Sequence, residues 1–179
     1  MGARDRESRR TRSRSEREDD MTATATIDEV VCLRPATSTD FDLAGVINSL
    51  LKPVYELPGA ELVHHLSGIG DVGRMIQDAL DEAPDDLYAT GVPSSGTDHA
   101  VWPVGGTTVE AGAGARLAVG ITLPVDGSQD IFLWDQDASS DDLLGSVTIS
   151  EAEQGQGSLS KLAHSDEEHS YYYVNYHVD

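Results

Sequence analysis

The chain has 179 residues, enough for one domain with a full core and too few for two of ordinary size. Its formal charge of −20 is unevenly spread: seven of the twelve Lys and Arg lie in the first twenty positions, and only Arg34, Lys52, Arg74, Arg116 and Lys161 stand against the 26 Asp and Glu of the remainder. Such a surface excludes a binder of nucleic-acid backbone, which needs clustered cations to displace counterions, and bare anionic membrane would repel it.

Residues 2–20 are almost wholly charged or small, and such a stretch buries too little apolar surface to offset the entropy of ordering it. Residues 1–21 are therefore expected to be a disordered charged tail, with Met21 as an alternative start, and 22–179 a single domain. The beginning lacks the apolar core of a signal peptide, and no apolar run reaches the length of a membrane span. A cytoplasmic location is expected, with export by a route that reads no N-terminal signal left open. Cys32 is the single cysteine, so neither an intrachain disulfide nor a thiolate zinc cluster is available.

Ile27 to Leu33 reads as a first strand, closed by Arg34-Pro35. Leu43, Val46, Ile47, Leu50, Leu51 and Val54 then recur at the three-and-four spacing of one helix face, with Asp40 as cap and Pro53 near the end. Shorter apolar stripes follow at Leu62, Val63 and Leu66 and at Val72, Met75, Ile76, Ala79 and Leu80, so a helical insertion over about 40–83 is expected. Gly68, Gly70 and Gly73 have the spacing of a dinucleotide-binding turn, but no buried parallel strand precedes them and no repeating βαβ pattern follows.

After Pro84 the texture changes to short strands between Gly, Pro, Ser and Asp clusters. Candidates are Leu87–Val92, Val101–Trp102, Thr107–Glu110, Leu117–Leu123, Ile131–Trp134, Ser146–Ile149 and Tyr171–Val178. Leu117, Val119, Ile121 and Leu123 alternate with Ala118, Gly120 and Thr122, the pattern of a half-buried strand. Many short strands at this spacing predict a mainly β chain folded as an antiparallel sandwich.

Three polar groups invite chemistry. His64 with His65, and His164 with His169, lack a well-formed zinc spacing and read as surface residues. Ser94, Ser95, Asp98 and His99 hold the residue types of a hydrolase triad without a nucleophile elbow, and a polar loop accounts for them; no enzyme activity is expected. The informative segment runs from Ile131 to Gly145. A strand delivers Asp135 and Asp137 two residues apart, on the same side of the chain, and Asp141 and Asp142 return with the next strand. Calcium takes six to eight oxygens, mostly carboxylates on a flexible loop, and this loop supplies several.

Trp134 to Gly145, with its aromatic-Asp-x-Asp, polar run, Asp, two apolar residues and Gly, resembles the third calcium loop of C2-type domains. Asp86 to Val92 is similar to the strand that follows that family's first calcium loop, and Asp81 stands where the loop's other aspartate would. The resemblance covers about Asp81 to Ile149. It implies a β-sandwich, here with a helical insertion, that holds Ca2+ at one end through Asp81, Asp86, Asp135, Asp137 and Asp142, with Asp141 in reserve. It also implies a non-enzymatic module that binds or targets to a phospholipid surface or a protein partner. The basic patch carried by many lipid-binding members is missing, so calcium is better supported than membrane. An ion-free interaction protein that uses the helical insertion as its partner surface is the alternative.

Overall fold

Alternating apolar residues between Gly- and Asp-rich turns produce nine strands among the residues that the computed structural model describes, 22–36 and 83–179. The expected helical insertion, the Gly68–Gly73 turn, His64, His65 and Asp81 lie outside the described residues, as does the tail. In chain order the strands are β1 (Ala23–Arg34), β2 (Asp85–Thr90), β3 (Ala100–Trp102), β4 (Val109–Ala111), β5 (Arg116–Val125), β6 (Ser128–Asp135), β7 (Asp142–Ser150), β8 (Leu159–Ser165) and β9 (Ser170–Val178). They pair antiparallel in two sheets. One has the order β5-β1-β9-β8 and the other β3-β2-β6-β7, with β4 also on β2. Since β6 occupies one edge of β2, β3 and β4 share the other, β3 at Ala89–Thr90 and β4 at Asp85–Leu87.

The core fills the space between the sheets. Ile27, Val30 and Cys32 face Leu87, Ile131, Leu133, Leu144 and Ile149, with Tyr172, Val174 and Tyr176 from β9. Each fully buried aliphatic side chain here stabilises the fold by roughly 1.5–3 kcal/mol relative to exposure. β5 follows its sequence pattern: Leu117, Val119, Ile121 and Leu123 lean on the core while Ala118, Gly120 and Thr122 face outward. Cys32 is buried as a small hydrophobe.

Two departures from the sequence pattern have physical causes. β8 was not expected, because Leu159-Ser-Lys-Leu-Ala-His-Ser carries no clean alternation. Pairing with all seven residues of β9 from Ser170 to Tyr176 makes it a strand. In β9 the apolar Tyr172, Val174, Tyr176 and Val178 share one face by alternation, yet Tyr173 on the other face is fully buried as well. The β7–β8 edge also closes tightly: the Gly145 Cα faces the β8 backbone at Ala163 and His164.

Candidate functional site

The register decides which acidic residues meet. Asp135 lies opposite Leu87 of β2 and Asp142 of β7, so the end of β6 and the starts of β2 and β7 share one end of the sandwich. There the Asp86 backbone N–H donates to Asp135 Oδ1 at 2.6 Å, and the Gln136 N–H returns a bond to the Asp86 carbonyl at 3.0 Å. The two loops that the sequence singled out are thus tied together across 49 residues of chain. Asp85, next to Asp86, points the other way into the protein. It is buried, receives the Ala36 N–H on both oxygens at 2.9 and 3.0 Å, and accepts the Tyr172 hydroxyl.

Asp141 sits differently from its neighbours. One carboxylate oxygen accepts from the Tyr88 hydroxyl and from the Gly96 N–H at 3.1 Å, while the other accepts from the Asp137 N–H at 3.3 Å. Its donors hold the loop in shape and anchor the 91–99 connection over β2. Asp142, by contrast, faces its acidic neighbours. Burial first, then a hydrogen bond with Asp137 and the charges of Asp137, Glu167 and Asp141, push its carboxyl above the usual carboxylate range.

Glu167 and Glu168, which stand between His164 and His169 and belong to none of the residue sets singled out from the sequence, join this end as well. The β8–β9 turn carries them to the Asp end. Glu168 is held high by burial and by the charges of Asp142, Glu167, Asp135 and Asp137. Asp135 is raised by burial and by Asp137, Asp86 and Asp142, against the lowering effect of the Asp86 N–H. The available signal was the run Asp166-Glu167-Glu168 immediately before the last strand. Among the described residues none of the carboxylates of Asp86, Asp135, Asp137, Asp141, Asp142, Glu167 and Glu168 forms an ion pair with Lys or Arg; Arg116 is committed to Glu29 and Lys161 to Glu153. Nor do three or more Asp, Glu, His or Cys side chains among the described residues already surround one point as a metal cage.

A pH dependence follows from these shifts. A carboxyl raised in the folded state binds its proton before the unfolded chain does, so stability rises as pH falls through its folded value. His177, raised by its hydrogen bond to Asp28, acts in the same direction. Glu153 is the opposite case. Burial alone would raise it, but Lys161, the Ser150 N–H and Tyr176 hold it low, and its contribution is lost only at more acid pH. Without divalent cations, the urea midpoint should increase as pH falls from neutral toward the ordinary carboxylate range, and Asp135→Asn/Asp142→Asn should flatten much of that rise. A midpoint that is level or falls over this interval in the parent would remove the electrostatic account of this end.

The remaining polar candidates do not converge. Ser94 and Ser95 are exposed on the loop after β2, and His99 lies 3.8 Å from Asp98 with half its side chain in solvent. His164 is half exposed and stacks on Tyr171.

No protein-family model matches the chain, and no curated protein does. Some solved structures align with most of the chain at low similarity. Human GIVD cytosolic phospholipase A2, in complex with a methyl gamma-linolenyl fluorophosphonate inhibitor and terbium chloride, has 12% identity over 88% of this chain and 17% of its own, with a TM-score of 0.36. The same enzyme with the fluorophosphonate gives 11%, 88%, 16% and 0.35. A fragment of extended-synaptotagmin 2, holding its SMP domain and two C2 domains, has 14% identity over 88% of this chain and 26% of its own, with a TM-score of 0.33. The chain therefore spans about a sixth of the phospholipase and about a quarter of the synaptotagmin fragment. The chain itself is an antiparallel β-sandwich. Its aromatic-Asp-x-Asp loop leaves β6 beside the Asp86 turn, between two antiparallel sheets. No helix among the described residues is long and apolar enough to cross a membrane.

Proposed function

We propose that the chain is a non-enzymatic binding module whose Asp86–Asp135 end takes up calcium and then engages a phospholipid surface or a protein partner. The observation that carries this reading is the gathering of Asp86, Asp135, Asp137 and Asp142, with Glu167 and Glu168, from three separate turns and with no Lys or Arg partner among the described residues. Like charges brought this close repel, and a divalent cation relieves that repulsion while supplying the positive charge the surroundings lack. Carboxylate oxygens are the donors calcium prefers, and loops adjust to its variable shell. Asp135, Asp137 and Asp142 would hold the ion, with Asp86 beside them; Asp81 lies outside the described residues. Asp141, occupied by Tyr88 and Gly96, would act by fixing the loop.

An ion that binds only the folded state stabilises it by mass action, by about 2.7 kcal/mol at a hundredfold excess over its Kd. Millimolar calcium should raise the melting temperature by several degrees over a chelated sample. Asp135→Asn/Asp137→Asn should fold, because it removes mutual repulsion, and should lose the response. Magnesium should substitute poorly, since it demands a tighter octahedral shell. Equal melting in calcium and chelator, with no heat of binding at millimolar ion, would leave an ion-free interaction module in place of this reading.

A further inference from the structure

The outer face of a sheet in an antiparallel sandwich meets water and is ordinarily polar. In the β3-β2-β6-β7 sheet this holds for only part of the face. Leu87, Ala89, Ile131 and Leu133 belong to the core, so alternation sends Tyr88, Thr90, Asp130, Phe132 and Trp134 outward. The register sets them in rows: Asp130 with Thr148, then Thr90, Phe132 and Ser146, then Tyr88, Trp134 and Leu143. The face therefore turns from polar to apolar as it nears the acidic end. Tyr88 and Thr90 are fully buried, and the 91–99 connection is pinned above them by the Gly96 N–H, which donates to the Tyr88 hydroxyl at 2.7 Å. On β6 and β7 the apolar side chains still meet solvent: Phe132 and Trp134 are partly exposed and Leu143 is 39% exposed. Trp134 is also held in position. Its indole N–H donates to the Thr90 hydroxyl at 3.0 Å, and that hydroxyl donates to the Val92 carbonyl at 2.6 Å.

We propose that Phe132, Trp134 and Leu143 form a docking strip for a segment of another protein that is apolar at its centre and cationic at its ends. Charge commits the occupant. Asp130 stands at one end of the strip and Asp142, hydrogen-bonded with Asp137, at the other. Among the described residues none of these carboxylates is ion-paired with Lys or Arg. A second copy of a chain with a formal charge of −20, or an anionic lipid surface, would be repelled from such a face. Arg or Lys at the ends of a segment would instead meet carboxylates, while apolar residues between them cover the strip. An Arg placed over the Trp134 ring gains a cation–π contact besides. Because Thr90 already fixes the indole, binding costs little of its side-chain freedom. The strip lies on the face of the sheet and uses Asp137 and Asp142 only as charges, so it goes beyond the calcium reading and does not rest on it.

The test titrates the full chain, in the presence of chelator, with the synthetic peptide Arg-Arg-Leu-Phe-Leu-Arg-Arg. Two controls keep its length, one with Glu in place of every Arg and one with Ser in place of the three apolar residues. Calorimetry should show the parent peptide binding at least about tenfold more tightly than either control, and tryptophan fluorescence should change with it. Leu143→Ser, at an exposed position, should keep the melting temperature and weaken binding about tenfold, as removal of a central apolar contact does. Phe132→Ser/Leu143→Ser should remove it. No heat with the Arg-ended peptide at millimolar concentration would overturn the proposal, as would equal binding of the Glu-ended peptide or binding that Leu143→Ser leaves unchanged. A concentration-dependent dimer abolished by Leu143→Ser would assign the strip to a second copy, and attachment to phosphatidylcholine vesicles abolished by it would assign the strip to lipid; either result overturns the proposal too. Every arm is run without calcium, so a protein that ignores calcium can still pass this test, and one that responds to calcium can still fail it.

Discussion

Gly145→Ala should destabilise the protein by roughly 3–5 kcal/mol, the sum of backbone strain and overpacking at one site. Gly145 has φ of 138°, a region that side chains other than glycine's rarely enter. A Cβ there would press on the His164 backbone N and come within 2.8 Å of the Ala163 carbonyl carbon and the His164 carbonyl oxygen. All three are backbone atoms of β8, which cannot swing aside as a side-chain tip would without breaking the β8–β9 ladder. Gly91→Ala is the internal control, because its added methyl meets only the Gln129 side-chain amide at 3.4 Å and the Val101 side chain at 3.9 Å. Urea titrations should give Gly145→Ala a much lower midpoint and Gly91→Ala one near the parent. Equal midpoints would mean that β7 and β8 approach less closely than described. The effect reaches the acidic end, since Gly145 lies three residues from Asp142 and opposite the strand that leads to Glu167.

Asp85→Ala should cost about 3–5 kcal/mol, because it strands donors that were satisfied inside the protein. The fully buried Tyr172 hydroxyl loses its acceptor, and the Ala36 N–H loses both oxygens at once. Asp85→Asn keeps one acceptor oxygen and should fall between parent and alanine. Because Asp85 fixes the start of β2, its loss also frees Asp86, whose N–H holds Asp135. The alanine variant should therefore show a weakened calcium response as well as a lower urea midpoint. A midpoint within about 1 kcal/mol of the parent would show that this carboxylate is dispensable to the joint between β1 and β2.

Local pattern was a sound guide wherever a side chain's direction was enough. The strict alternation of Leu117, Val119, Ile121 and Leu123 foretold β5, and Ile131 to Trp134 and Tyr172 to Val178 foretold β6 and β9. The Asp135-x-Asp137 loop was visible because strand geometry sends both carboxylates to one side within a few residues. Strand ends were less legible. β1 begins at Ala23 and not at Ile27, since Thr24 and Thr26 pair as well as the apolar residues do.

The two aspartates side by side in the sequence, Asp85 and Asp86, show where local pattern stops. Their pleat sends one into the protein and one to the acidic end, and only the sheet order says which is which. Likewise Asp141 and Asp142 are indistinguishable as letters, but Tyr88, 53 residues away, claims Asp141 while Asp142 is left facing Asp137. Glu167 and Glu168 join them because β8 and β9 form a hairpin whose turn points to that end. By itself the sequence determined an acidic, mainly β chain and the direction of most strand residues, since charge and period are properties of neighbouring positions. Tertiary structure alone decided which carboxylates share a site, why Gly145 must lack a side chain, and that β9 is buried on both faces. Those depend on which strand lies opposite, and pairing across tens of residues leaves no mark on the spacing within either one.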